Sequence, residues 1–180
     1  MKSILKKMVS ISDAKKYLAK NLTQQRYVHT INLSELAVNL AKHYKLKNIP
    51  KIKIAALLHD CQKNSEHKNN HSFLAEKVAR TKFRIKDRQT LNAIKHHTFG
   101  HGKMDSFSKI IYIADMSEPS RKFKEAKKIR KLAFKNLDEA MILALSTKIK
   151  YVIDERKPVS AESIILYNKM ITAIKPRLRR

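Results

Sequence analysis

The stretch IAALLHDCQK, residues 54–63, decides the fold. Five apolar residues run without a break into His59 and Asp60. A continuous apolar run is the mark of a buried element, and Pro50 upstream suits the first turn of a helix. Buried Asp is costly unless it is paired or bound to a cation. An imidazole and a carboxylate at the end of a buried helix therefore call for a partner.

Working outward, nearly everything reads as helix. Glycine occurs only twice, at Gly100 and Gly102, and no long alternating run of β-branched residues appears. Thr23 is a plausible N-cap for a helix to about Tyr44, with His29, Leu33, Leu36 and Leu40 on one face. The polar run KNSEHKNN, 63–70, breaks the chain. A helix carrying Phe73, Leu74, Val78 and Ala79 follows. Asp87 caps one holding Leu91, Ile94 and His97, and Asp105 or Ser106 caps SKIIYIAD, which Pro119 stops. Phe107, Ile111 and Asp115 share a face of that last helix. Further amphipathic helices are expected within 122–135, 137–153 and 160–174, then a basic tail over 175–180. With no repeat and no linker, the chain reads as one all-α domain, 1–180.

Composition sets bounds. Forty Lys+Arg against fifteen Asp+Glu give a formal charge of +25, which favours an anionic partner in general. Thirty of the forty are lysine, spread along the chain, and there is no Trp. Stacking aromatics and a basic recognition motif are both missing, so nucleic acid is disfavoured. No apolar run is long enough to span a membrane. The opening residues carry no recognisable signal peptide. Cys61 is the lone cysteine, so a reducing, cytoplasmic setting is expected.

The chemistry lies in His29, His59, Asp60 and Asp115. Taken alone, His29 is a packed core histidine and Asp60 a helix-end carboxylate. Asp115 sits inside IIYIADM and needs a positive partner. No Lys or Arg follows within four residues, although Lys109 lies upstream. Together, three apolar helices aim imidazole nitrogens and carboxylate oxygens at one core, a donor set that suits a divalent transition metal. His71 and His97 are further candidates at loop boundaries. With them Asp60 could span two metals, an arrangement that favours phosphoester and phosphoanhydride cleavage. In HTFGHGK, His97 continues the Leu91–Ile94 face, while His96 points away from it. The glycines around His101 would let the backbone approach an anion.

His29, His59–Asp60 and Asp115 reproduce the H…HD…D pattern and resemble the HD-domain metal phosphohydrolases. RYVHT (26–30), LLHDCQK (57–63), IKHHTFG (94–100) and KIIYIADMSEPSR (109–121) resemble the YqeK-like branch, bacterial symmetrical bis(5′-nucleosyl)-tetraphosphatases. The matched blocks span roughly 20–135, leaving the helices over about 137–174 without a functional account.

The resemblance implies an HD-domain helical bundle and a dinuclear centre, two iron ions or manganese. His29, His59, Asp60, His71, His97 and Asp115 would be its ligands. The substrate would be diadenosine tetraphosphate or a related dinucleoside polyphosphate, cut into two nucleoside diphosphates by metal-activated hydroxide. Asp60, Lys63 and Arg121 would be the catalytic residues. Lys63 and Arg121, with Thr98, Gly100 and His101, would meet the substrate. Three departures stand out: HSFLAE after His71 lacks the family's usual glycines, Phe99 replaces a threonine, and His101 replaces a basic residue. An HD-type mononucleotide phosphatase is the alternative enzyme, and a basic nucleic-acid-binding protein the alternative class. The oligomeric state is open, with a homodimer one option.

Overall fold

The computed structural model describes residues 10–63 and 70–174. The opening residues read for a signal peptide, most of the KNSEHKNN break and the basic tail lie outside them. The described residues form nine helices: α1 (Ile11–Asn21), α2 (Gln24–His43), α3 (Ile49–Leu58), α4 (His71–Thr81), α5 (Arg88–His96), α6 (Ser106–Ser117), α7 (Lys124–Ala133), α8 (Leu137–Asp154) and α9 (Ala161–Ile174).

Helix starts follow the expected chemistry. The Thr23 hydroxyl faces the Arg26 amide at 3.4 Å, a loose cap. The Asp87 and Asp105 carboxylates accept from the Thr90 and Ser108 amides at 3.0 and 2.8 Å. Helix α1 was not anticipated from the sequence. Ser10 caps it by accepting from the Asp13 amide at 3.0 Å, and Ala14 and Leu18, four apart, bury its inner face.

Helix α6 is the axis of the fold, packed against α2, α3, α5, α7 and α8. It is apolar nearly all round, as a fully enclosed helix must be. Ile110, Ile111, Tyr112, Ile113 and Ala114 are completely buried. Each isoleucine there contributes roughly 1.5–3 kcal/mol of transfer free energy. One apolar cluster, from Ala14 in α1 to Met170 in α9, joins every helix except α7's outer turns. No helix among the described residues is long and apolar enough to cross a membrane.

Helix α4 carries the apolar residues read from the sequence, and its packing sorts them by face. His71, Ser72, Ala75 and Ala79 point inward, while Phe73 is exposed and sits under the Lys95 ammonium at 5.2 Å. The inward positions of α4, which packs against α5, are mostly small side chains, Ser72, Ala75 and Ala79.

With glycine so scarce, helices α2 and α8 end on basic residues in the left-handed conformation, Lys45 (φ 52°) and Arg156 (φ 53°). The Leu46 amide donates to Ala41 O at 2.8 Å and the Lys157 amide to Val152 O at 3.0 Å, the closing bonds of a Schellman motif. A side chain in this conformation costs about 1–2 kcal/mol, partly offset by glycine's greater freedom when unfolded. Arg156→Gly should therefore stabilise the protein by up to about 1 kcal/mol, raising Tm by roughly 2–4 °C in a calorimetric scan.

Candidate metal centre

Two histidines reach the site by the same device. His59 and His97 are the C-cap residues of α3 and α5. Their Nδ1–H groups donate to Ala56 O and Ile94 O, each at 2.7 Å. Each bond satisfies a carbonyl left over at the helix end. It also fixes the tautomer, so Nε2 carries the lone pair and faces inward. His59 Nε2 is buried with no hydrogen-bond partner. Burial, opposed by the nearby carboxylates, pushes the His59 pKa down to about 3, so the ring is neutral.

His29 comes in from α2. Its Nδ1 stands 3.0 Å from Glu118 Oε1, and its Nε2 lies 3.1 Å from Asp115 Oδ1 without hydrogen-bond alignment. Burial works against protonation of His29, but the two carboxylates outweigh it and raise the pKa. Positive charge is thus stabilised at His29 Nε2. Glu118 is fully buried. Burial would raise its pKa, but hydrogen bonds from His29 and Ser120 hold it at about 2.

Asp60 lies in the turn after α3, only 2% exposed. Its Oδ1 is 3.1 Å from His97 Nε2 and 3.4 Å from His71 Nε2. Its Oδ2 is 3.1 Å from Lys63 Nζ and 3.7 Å from both His59 Nε2 and Arg26. Burial opposes ionisation, but the imidazoles and Lys63 outweigh it and hold the carboxyl well below its usual range. Asp115, on α6, is likewise held low against burial by His29 and by Arg121. Arg121 Nη2 donates to its carboxylate at 2.6 Å and Nε to its carbonyl at 2.8 Å. The upstream candidate partner, Lys109, pairs instead with Asp138 on α8 at 2.7 Å.

Two ligand groups result. Donor atoms of His29, His59 and Asp115 lie within 4.8 Å of one another, and so do those of His59, Asp60 and His97. The neutral His59 ring with its unpartnered, buried Nε2, set among further imidazoles and ionised carboxylates, fits a divalent transition metal. His71 borders the second group, with Nε2 3.2 Å from Lys63 Nζ and 3.0 Å from Thr98 Oγ1.

Thr98 Oγ1 also reaches His97 Nε2 at 3.1 Å. The next residues turn away. Gly100 adopts φ +77°, and a Cβ there would stand 2.5 Å from Leu166 Cδ2. The His101 ring lies against His96, centroids 4.7 Å apart. Gly100 and His101 thus shape the loop against α9 and are not brought to the cluster. Gly100→Ala adds left-handed strain and displaces the buried Leu166, costing about 2 kcal/mol or more. A thermal melt should show a Tm lower by several degrees.

Three residues were not picked out from the sequence as site residues. Glu118 lies in the quoted SEPSR run, where a buried acid beside the ligand Asp115 was the available signal. Lys148, on α8, is half-buried, donates to Thr98 O and lies 5.1 Å from the Tyr112 ring. Burial pushes its pKa down to about 8. No local signal marks it. Arg26, inside RYVHT, reaches Asp60. Because Glu118 orients His29, Glu118→Ala should weaken metal affinity about 10–100-fold, read by chelator competition.

The helical bundle and its histidine–aspartate centre are those of a phosphohydrolase class: residues 26–120 match the HD domain, and the chain belongs to the HD-domain family. Among its relatives, it is 30% identical to the symmetrical bis(5′-nucleosyl)-tetraphosphatase of Halalkalibacterium halodurans, over 84% of this chain and 91% of that protein. The protein of the same name from Bacillus subtilis is 26% identical, over 84% and 92%. A solved HD superfamily hydrolase from Clostridium acetobutylicum, described as involved in NAD metabolism, superposes with a TM-score of 0.85. It is 32% identical, covering 92% of this chain and 99% of that one.

Proposed function

We propose that the protein hydrolyses dinucleoside tetraphosphates, diadenosine tetraphosphate above all, symmetrically to two nucleoside diphosphates. The observation that carries this reading is the pair of imidazole–carboxylate groups sharing His59, set beside the cations Lys63 and Arg121. Relatives bearing the name of that activity at 26–30% identity support it.

The reaction adds water across the central bridge. The water oxygen bonds to one of the two inner phosphorus atoms. The bond from that phosphorus to the central bridging oxygen breaks, the bridge leaves with the second diphosphate, and the two water protons pass to the new terminal phosphates or to solvent. His29, His59, Asp60, His97 and Asp115, with His71 beside them, would hold two ions, iron in this reading with manganese as the substitute. Bound metal supplies Lewis-acid polarisation of phosphoryl oxygens and lowers the pKa of water.

The chain's own residues do the rest. Nδ1 bonds to Ala56, Ile94 and Glu118 keep the imidazole lone pairs aimed. Lys63 and Arg121, already anchored on Asp60 and Asp115, take up charge that develops on phosphate oxygens. Thr98 Oγ1 offers a neutral hydrogen bond at the same place. A cytoplasmic location belongs to this reading, since Cys61 is a buried thiol whose pKa burial raises to about 12.

The test is incubation with diadenosine tetraphosphate plus iron or manganese, products separated by chromatography. ADP alone is the expected result. ATP with AMP would mean that the substrate is cut off-centre. Orthophosphate from mononucleotides, with the dinucleotide untouched, would replace this reading by a mononucleotide phosphatase.

A further inference from the structure

A cavity of about 940 Å³ opens from the metal-ligand cluster, its inner end formed by Asp115, Lys63 and Arg121. That volume is at the upper end of the roughly 300–1,000 Å³ usual for ligand sites. One wall is α8, where Lys148, Tyr151 and Asp154 recur every three residues on one stripe. The facing wall is the α6–α7 connection, which contributes Phe123. Both aromatics are surface-exposed, Tyr151 at 58% and Phe123 at 37%. Four cations, Lys63, Arg121, Lys148 and Lys150, share the lining with three carboxylates, Asp115, Glu125 and Asp154, and aromatic rings at the rim suit a flat partner with an anionic tail.

Cleavage at the centre of a tetraphosphate produces two equal halves. The inner cluster can hold one. The other needs its own cations and its own base platform along the same path.

We propose that this cavity seats the second nucleoside diphosphate half, its base stacked on Tyr151 and Phe123 and its phosphates held by Lys148 and Lys150. The inference rests on the dinucleotide reading above and assigns work to α8. Lys148 is positioned for it: its Nζ is tethered to Thr98 O, which places the ammonium between the cluster and the cavity. Lys150 lines the same space, exposed to an incoming phosphate. Aromatic stacking gives selectivity for a nucleotide over a bare phosphate chain, because only the nucleotide has a π-face.

The test is calorimetric titration of the metal-loaded full chain with ADP and, separately, with inorganic pyrophosphate. Tyr151→Ala should weaken ADP about tenfold, within the range for losing one base stack, and leave pyrophosphate within about twofold. Lys148→Met should weaken both ligands. In steady-state assays Tyr151→Ala should raise KM for diadenosine tetraphosphate about tenfold while kcat holds, the pattern of lost uniform binding. Since Tyr151 is mostly exposed, its variant should melt like the parent. Unchanged ADP affinity and unchanged KM in Tyr151→Ala would overturn the assignment. Should the parent fail to make ADP from the dinucleotide, the reaction proposed above falls. The ADP-against-pyrophosphate difference then still decides whether a nucleotide sits here.

Discussion

Asp60→Ala should abolish metal binding and turnover together. Among the described residues, Asp60 is the one carboxylate that touches His97, His71 and Lys63 at once and comes within 3.7 Å of His59. Removing it leaves one ligand group with imidazoles only, facing an unneutralised Lys63 ammonium. A divalent ion would then enter a site of net positive character. Turnover should fall by at least on the order of 10²–10³-fold, the scale for losing one preorganised charge-stabilising group. Metal content after dialysis should drop in step, read by atomic emission. Lys63 is partly exposed and can turn to solvent, so the fold should survive. Asp60→Asn, which keeps the shape and removes the charge, should behave alike. An Asp60→Ala protein with full metal and full turnover would sink the scheme.

The second large effect is acid sensitivity. His59 has a folded pKa of about 3 against an ordinary 6.5, because burial disfavours its charged form. The unfolded chain therefore binds a proton that the folded chain refuses between those values. The associated stability is present above pH 6.5 and is lost as pH falls toward 3. His29, whose pKa is raised, has the opposite sign. Its contribution is complete below 6.5 and declines only as pH rises, so it cannot offset the loss in that window. Below pH 6.5 the slope approaches about 1.4 kcal/mol per pH unit for one proton. From pH 6.5 to 4.5 the metal-free protein should lose up to about 3 kcal/mol, lowering Tm by roughly 6–12 °C. Activity should fall over the same range, since ligand imidazoles must be neutral to bind metal. Scanning calorimetry at several pH values is the measurement. His59→Asn should flatten the profile, and a parent Tm that does not change between pH 6.5 and 4.5 would refute the argument.

Much of the centre is legible in the sequence alone. His29, His59, Asp60 and Asp115 each sit where an apolar period demands burial, and a buried polar side chain announces a partner. Helix α1 has a local signal too, in the spacing of Ser10 and Asp13, although its apolar face is short. The exposure of Phe73 was not readable, because a list of apolar positions does not say which of them a neighbouring helix accommodates. Asp115 shows the sharper limit. Its need for a cation is readable, but the cation is Arg121, six residues on, because the chain turns back at Glu118–Pro119 and returns the guanidinium to the end of α6.

By itself, then, the sequence determined the helices, their caps and the chemical types that meet in the core. Those follow from period, local hydrogen bonding and the cost of burying charge, all of which act over a few residues. Only the tertiary structure decided the pairings. Glu118 lies 89 positions from the His29 it orients, and Lys148 lies 50 from the Thr98 carbonyl it holds. Such contacts depend on how α2, α6 and α8 pack against one another, and helix packing is set by many weak contacts that no local pattern records.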